Sequence, residues 1–210
     1  MERQLAVCEQ VSAEKENQVI AEFEKNIYDL EQMIEISRSF CTTIELNSLI
    51  ESILYVAMAQ MRVTGAGVFV MENIDSEYFQ LSDNYSGIEV DRSIDYKIPV
   101  KSPLIDFFTS SSKPYTLDEL KKGLPGCMDT SVFDSLEPSL IVPLLLKNRI
   151  NGILVMGERI FIDGMDTGYS DYEKNEISTI ASLASVAVHN ASLIEQASTD
   201  MMTKLKLKFF

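Results

Sequence analysis

The chain has 210 residues, of which 46% are hydrophobic and 24% are charged, and its formal net charge is −14 at pH 7. This length and composition suffice for one folded domain with helical extensions, and they exclude a largely disordered chain. The negative charge disfavours binding to nucleic-acid phosphates or to anionic membrane surfaces, because both would repel the protein. We therefore predict no nucleic-acid partner and no membrane partner.

The cysteines and the hydropathy pattern indicate a cytoplasmic protein. Cys8, Cys41 and Cys127 are far apart, and their number and spacing fit neither a disulfide scaffold nor a zinc site. The N-terminal residues lack the layout of a signal peptide. We expect no apolar run to reach the roughly 18 residues that a membrane span requires. No metal and no cofactor is predicted.

Residues 10–40 have the pattern of one long helix. Its apolar residues recur at steps of three and four, as in a coiled coil, and they are Ile20, Phe23, Ile27, Leu30 and Ile34. We assign residues 1–45 to a dimerisation helix whose seam contacts the same helix of a second copy. The alternative is a helix that lies on its own domain.

Between residues 46 and 170 the apolar period changes repeatedly. The predicted elements are, in order, a helix ending near Arg62 with Asn47 or Ser48 as its N-cap, strands over 68–72, 77–87 and 93–100, short helices within 102–137, and a strand hairpin over 139–157. Pro99 indicates that the third strand lies at a sheet edge or ends there. Short links imply an α+β fold with an antiparallel sheet of about six strands, long helices on one face and short helices with a pocket on the other.

Residues 171–198 form the last predicted helix. Its apolar residues also repeat at steps of three and four. We predict that they form a second dimer seam, made by Ile177, Ile180, Ala184, Ala187, Ala191 and Ile194.

Three phrases, in this order, resemble those of GAF domains. They are ISRSFCTTIELNSLIESILYVAMAQM, SLIVPLLLKNRINGILVMGER and YSDYEKNEISTIASLASVAVHNASLIEQ, and together they cover about residues 34–196. The resemblance implies that residues 46–170 are a small-molecule sensor core and that residues 171–198 are a signalling linker. We predict no catalytic residue in this chain, because its only histidine, His189, has no nucleophile to serve.

Cyclic nucleotides are known ligands of the GAF family, and we favour cAMP. Asp129 or Thr130 would cap a short helix whose free N–H groups, with the hydroxyls of Thr130 and Ser131, bind the cyclic phosphate. Other pocket residues would stack on the base or read its edge, and they are Phe107, Phe108 and Phe133, then Asn84, Asp106, Thr109 and Thr116, with Cys127 nearby. For each residue the alternative is helix capping or core packing.

The final residues, STDMMTKLKLKFF, resemble the opening of a GGDEF diguanylate cyclase domain. Thr199, Asp200, Thr203 and Leu205 stand at matching positions. The resemblance implies that residues 199–210 begin a catalytic domain, joined in cis, of which the chain carries only the start. Among GAF–GGDEF proteins, the chain resembles the cAMP-responsive sensors of spirochaetes. An arbitrary amphipathic tail is the alternative.

Two other functions stay open at this point. The chain can be a dimerisation or interaction module that binds no ligand, with core side chains filling the pocket. It can also be a redox sensor that uses Cys127.

Overall fold

The computed structural model describes residues 2–73, 75–124, 129–160 and 168–198, including the side chains of residue 15 and of residues from 17 onward. These ranges contain six helices and five strands: α1 (Glu2–Thr42), α2 (Leu46–Met61), β1 (Ala66–Val70), β2 (Tyr78–Leu81), β3 (Lys97–Pro99), α3 (Pro103–Ser110), α4 (Leu117–Gly123), α5 (Ser131–Leu136), β4 (Leu140–Leu146), β5 (Arg149–Met156) and α6 (Asp171–Ala197). The chain divides into two units, Met1–Arg38 and Ser39–Phe210.

The first unit consists of α1 as far as Arg38. The apolar seam that the sequence indicates lies on its surface, and each seam residue is between 52% and 64% exposed. The predicted stripe is therefore present as exposed apolar surface. Whether a second copy covers it stays a prediction.

The second unit is built on an antiparallel sheet with the strand order β3-β2-β1-β5-β4. The α+β fold class is confirmed, with five strands in the described ranges instead of about six. The predicted strands 77–87 and 93–100 are longer than the observed β2 and β3, since only Tyr78–Leu81 and Lys97–Pro99 pair in the sheet. β3 lies at the edge of the sheet, as Pro99 indicated.

The central strands are apolar on both faces, so the sheet needs a covering layer of helices on each side. Every residue of β1 is buried, and so are seven of the eight residues of β5. α2 and α6 pack on each other and cover one face of β1, β4 and β5. The other face carries a second core, in which Phe69, Phe108 and Phe133 are fully buried among residues of α3, α4 and α5.

The starts of α3, α4 and α6 follow capping signals in the sequence. Ser102 accepts the Ile105 N–H at the start of α3, with Pro103 behind it, and Thr116 and Ser170 form capping boxes at α4 and α6. The predicted caps of α2 are wrong. α2 begins at Leu46 behind Glu45, so Asn47 and Ser48 lie inside the first turn.

The α6 seam is a correction to the sequence analysis. Five of the six residues predicted to contact a partner helix are only 0% to 5% exposed, and they belong to the domain's own core: Ile177, Ile180, Ala184, Ala187 and Ala191. A helix on its own sheet and a helix in a coiled coil both repeat at steps of three and four. The sixth, Ile194, lies on an exposed stripe of α6 with Val186 and Leu193, and these three residues are 40% to 46% exposed.

α6 is also long and apolar enough to cross a membrane by length and composition alone. Our expectation that no apolar run has this length is therefore wrong. In the most apolar 18-residue window of α6, 44% is buried inside the domain. Packing of α6 on α2 and β4 accounts for this apolar composition.

Ala187→Glu should lower the free energy of unfolding by about 3 kcal/mol or more, because the new carboxylate would be buried without a partner. The matched control is Val186→Glu at the preceding position. Val186 is 40% exposed, so this change should alter stability by about 0.5 kcal/mol or less. Urea denaturation measures both. Equal losses in the two variants would contradict the assignment of Ala187 to the core.

Candidate functional site

A cleft of about 270 Å³ opens between the edge strand β3 and the N-terminal ends of α3 and α5. We call it the β3 cleft. Most of its wall is apolar and comes from Ile98, Pro99, Pro103, Leu104, Val132 and Phe133. Small-molecule sites typically measure about 300–1,000 Å³ and combine apolar walls with a few polar groups, so the β3 cleft lies at the small end of this class.

Three polar side chains border the β3 cleft: Lys97, Ser102 and Asp129. The Nζ of Lys97 lies 3.1 Å from a carboxylate oxygen of Asp95, and the two side chains are 40% and 72% exposed. An ion pair this exposed contributes little stability, so Lys97 can exchange Asp95 for an anionic ligand. The hydroxyl and the N–H of Ser131 hold the pKa of Asp129 below its usual range, which keeps this carboxylate ionised.

The N-terminus of α5 does not offer the phosphate site that the sequence suggested. The Ser131 N–H donates to Oδ1 of Asp129 at 2.9 Å, and the Thr130 hydroxyl donates to Oδ2 of Asp134 at 3.0 Å. Two carboxylates thus occupy donors that we had assigned to a cyclic phosphate. Like charge disfavours a phosphate at this point. Lys97, on the β3 wall, is the better partner for an anion.

The three predicted stacking residues have different surroundings. Phe108 and Phe133 are fully buried, and the Phe133 ring meets the Phe69 ring edge-on at 6.0 Å. Phe107 is half-buried against Tyr115, with ring centroids 5.3 Å apart. Of the three, Phe133 borders the β3 cleft. Phe108 is a core residue, which is the alternative that the sequence left open.

Three of the residues predicted to read the base edge lie within or beside short helices, and two of them bond to helix backbone groups instead. Asp106 is exposed on α3, and the Thr109 hydroxyl donates to the Ile105 carbonyl at 2.8 Å. Thr116 caps α4 by accepting the Glu119 N–H at 3.2 Å. None of Asp106, Thr109 and Thr116 lines the β3 cleft.

Asn84 lies in a different, more polar cleft of about 400 Å³ beside the N-terminal end of α2. Its side-chain amide donates to the Asn47 carbonyl at 3.3 Å. The described lining contains the carboxylates of Glu72 and Asp83 and no cation, so this cleft is unsuited to a phosphate. Cys127 lies outside the described residues.

Comparison with known proteins settles the fold. The GAF domain of a phosphoenolpyruvate-protein phosphotransferase from Acinetobacter superposes with a TM-score of 0.54 at 12% identity, covering 80% of this chain and 98% of that one. The corresponding domain from Coxiella burnetii gives a TM-score of 0.53 at 12% identity, covering 80% and 96%. The fold is that of a GAF domain. The three sequence phrases therefore predicted it correctly.

A sequence relative adds a second similarity. Diguanylate cyclase A of Treponema denticola is 41% identical over 187 residues, which is 89% of this chain and 50% of the relative. The chain thus spans about half the length of this curated relative. No known protein-family model matches the chain. The GGDEF-like residues 199–210 lie outside the described ranges.

In this GAF-like fold, one ion pair links the short-helix layer to α6. The Nζ of Lys174, in the first turn of α6, lies 2.8 and 2.9 Å from the two carboxylate oxygens of Glu119 on α4. Desolvation, the largest single effect, raises the pKa of Glu119. Hydrogen bonds from Lys174 and Thr116, with the nearby charge of Lys174, together outweigh it and leave the pKa below its ordinary value. The Glu119 carboxylate also completes the α4 capping box by accepting the Thr116 N–H.

Sequence reasoning missed Lys97 and most of the apolar wall of the β3 cleft. A signal was present, because Lys97 stands between Tyr96 and Ile98 on an alternating strand and so points away from their core. Ser102 and Pro103 were recognised only as a helix start. Their second role depends on the long-range approach of α5 to β3, which no local pattern encodes.

Glu119→Gln should destabilise the domain near pH 7 by at most about 1 kcal/mol, since the Glu119 side chain is 47% exposed and its charge is screened. Because the folded-state pKa is lowered, this contribution is complete above the unfolded value of about 4.3 and is lost as pH falls through the folded value. The stability difference from wild type should therefore shrink below about pH 4. Thermal unfolding across pH measures it.

Asp118→Asn is the control, since Asp118 lies one residue away on α4 and is exposed. A difference between Glu119→Gln and wild type that stays constant down to about pH 3 would contradict a role for the charged form of Glu119.

Proposed function

We propose that this GAF domain is a regulatory sensor that binds a cyclic nucleotide, cAMP first among them, and controls a diguanylate cyclase domain in the same polypeptide. The observation that carries the proposal is the 41% identity with a diguanylate cyclase, which spans 89% of this chain. Half of that relative lies beyond the match, which leaves room for a separate catalytic domain. The proposal includes a cytoplasmic location, where GTP is available.

The β3 cleft supports a purine nucleotide as the ligand. Its walls of Ile98, Pro99, Leu104 and Val132 suit the flat apolar face of a base, and Lys97 suits the single negative charge of a cyclic phosphate. Asp129 is ionised and accepts hydrogen bonds. At the 6-position adenine donates a hydrogen bond whereas guanine accepts one, so the Asp129 carboxylate favours adenine.

cAMP at about 100 times its dissociation constant should stabilise the domain by about 2.7 kcal/mol, which for this size raises the unfolding temperature by about 5–10 °C. Lys97→Gln should weaken binding about tenfold, because the phosphate loses a charged partner. Lys101→Gln is the matched control, since Lys101 is exposed and lies outside the β3 cleft. Thermal shift and calorimetry measure both effects.

The same measurement with cGMP, GMP, GTP and cyclic di-GMP ranks the ligands. A larger shift with cGMP than with cAMP would contradict the assignment of Asp129. No shift with any nucleotide would favour a ligand-free interaction module instead, in which the buried Phe108 and Phe133 form a permanently filled core.

We further propose that two copies pair through their helices and transmit the signal along them. The support is the exposed apolar surface, which consists of the α1 seam and of the α6 stripe formed by Val186, Leu193 and Ile194. GGDEF catalytic domains, as the resemblance implies, act face to face in pairs. A ligand would shift the pairing of the α6 helices only as far as it binds one arrangement more tightly than the other.

Ile27→Glu should shift the protein from dimer to monomer, because a charge in the α1 seam would be buried without a partner. Light scattering should give twice 23.6 kDa for wild type and close to 23.6 kDa for the variant, at a concentration well above about 1 µM. Gln18→Glu, which adds the same charge on the opposite side of α1, is the control. A monomeric wild type would rule out the dimer.

A further inference from the structure

β5 contains a β-bulge at Asn151. Leu144 pairs with Gly152, but the next residue of β4, Leu145, pairs with Ile150, so Asn151 has no partner on β4. Bulges often redirect a side chain, and they are frequent beside functional sites. Gly152 is needed here, since a Cβ atom would lie 2.8 Å from the Phe69 carbonyl oxygen.

The bulge directs a polar side chain into an apolar layer. Asn151 is only 6% exposed, and its Nδ2 donates to the Oγ of Ser185 at 3.2 Å and to the Ser185 carbonyl at 3.3 Å. Its Oδ1 accepts no hydrogen bond from the described residues. No fully buried side-chain oxygen or nitrogen in the described part of the chain lacks a partner, so this oxygen reaches the neighbouring cavity, which Asn151 lines.

That cavity measures about 30 Å³ and lies between β5, α6 and the chain that follows β1. Its polar lining is Asn73, Arg149, Asn151, His189 and Ser192. The lining holds an arginine and the only histidine of the chain but no carboxylate, in a protein with 32 acidic residues. Within the described ranges, Arg149 has no ion pair.

The cavity's size favours one kind of anion. A volume of 30 Å³ holds about two water molecules. A carboxylate presents two oxygens, which matches this volume, whereas a phosphate carries four. An arginine guanidinium binds a carboxylate through two parallel N–H groups.

We propose that this cavity binds the carboxylate of a small organic acid. Arg149 supplies the paired N–H donors, and the His189 ring and the Ser192 hydroxyl supply one further donor each. Oδ1 of Asn151 has no donor in the described structure, so it is available to accept an N–H from Arg149 or His189 when the carboxylate is bound. The site lies on the α6 side of the sheet, away from the β3 cleft, and it does not depend on cyclic-nucleotide binding.

The single histidine makes the test direct, because its ring resonances in an NMR spectrum report on this cavity alone. Acetate is titrated into the 210-residue chain at constant pH and ionic strength, with phosphate as the second anion. The His189 resonances should move along a saturating curve with acetate, with half-saturation near about 1 mM. Phosphate should give no saturating change.

Arg149→Gln should weaken acetate binding about tenfold or more. Arg92→Gln is the matched control, since Arg92 is an exposed arginine outside the cavity lining. Unchanged unfolding temperatures show that both variants are folded. The proposal is overturned by a non-saturating response, by equal affinity in Arg149→Gln and wild type, or by tighter binding of phosphate than acetate. The cAMP titration is a separate measurement, so either proposal can fail alone.

Discussion

The two-sided burial of the central strands is the constraint on which the rest of this domain depends. β1, β4 and β5 carry apolar side chains on both faces, so neither face can meet water without a large cost. Two long helices cover one face, and three short helices with their links cover the other. The short helices cannot cover the sheet completely at its edge, where β3 is only three residues long. The β3 cleft lies at that edge.

The two faces of the sheet therefore have different roles. The α6 side combines continuous helix packing with the polar exception at Asn151, which the bulge and Gly152 produce together. The short-helix side holds the β3 cleft, and its layer is tied to α6 through the ion pair between Glu119 and Lys174. Under the proposed function, a ligand in the β3 cleft would contact α3 and α5, and its effect would reach α6 across the sheet and through this ion pair.

Much of the fold could be predicted from the sequence, because hydropathy periods and capping residues are local signals. The Ser102–Pro103 start of α3 and the edge position of Pro99 were both found in this way. The partner of the α6 seam was not, because the same spacing of apolar residues, at steps of three and four, is expected for a helix packed on its own sheet and for a coiled coil. The site was predicted least well. Phe133 borders the β3 cleft, but Thr109 and Thr116 satisfy backbone groups of their own helices, and Lys97 joins the cleft only through tertiary approach.

Hydrogen exchange of the whole chain with and without cAMP shows directly whether the β3 cleft is the binding site. We expect added protection in the segments that line the β3 cleft, around residues 97–104 and 129–136, and little change around Asn151 and His189. Protection confined to the Asn84 cleft or to the α6 side of the sheet would contradict it. So would saturating cAMP that leaves exchange of the whole domain unchanged.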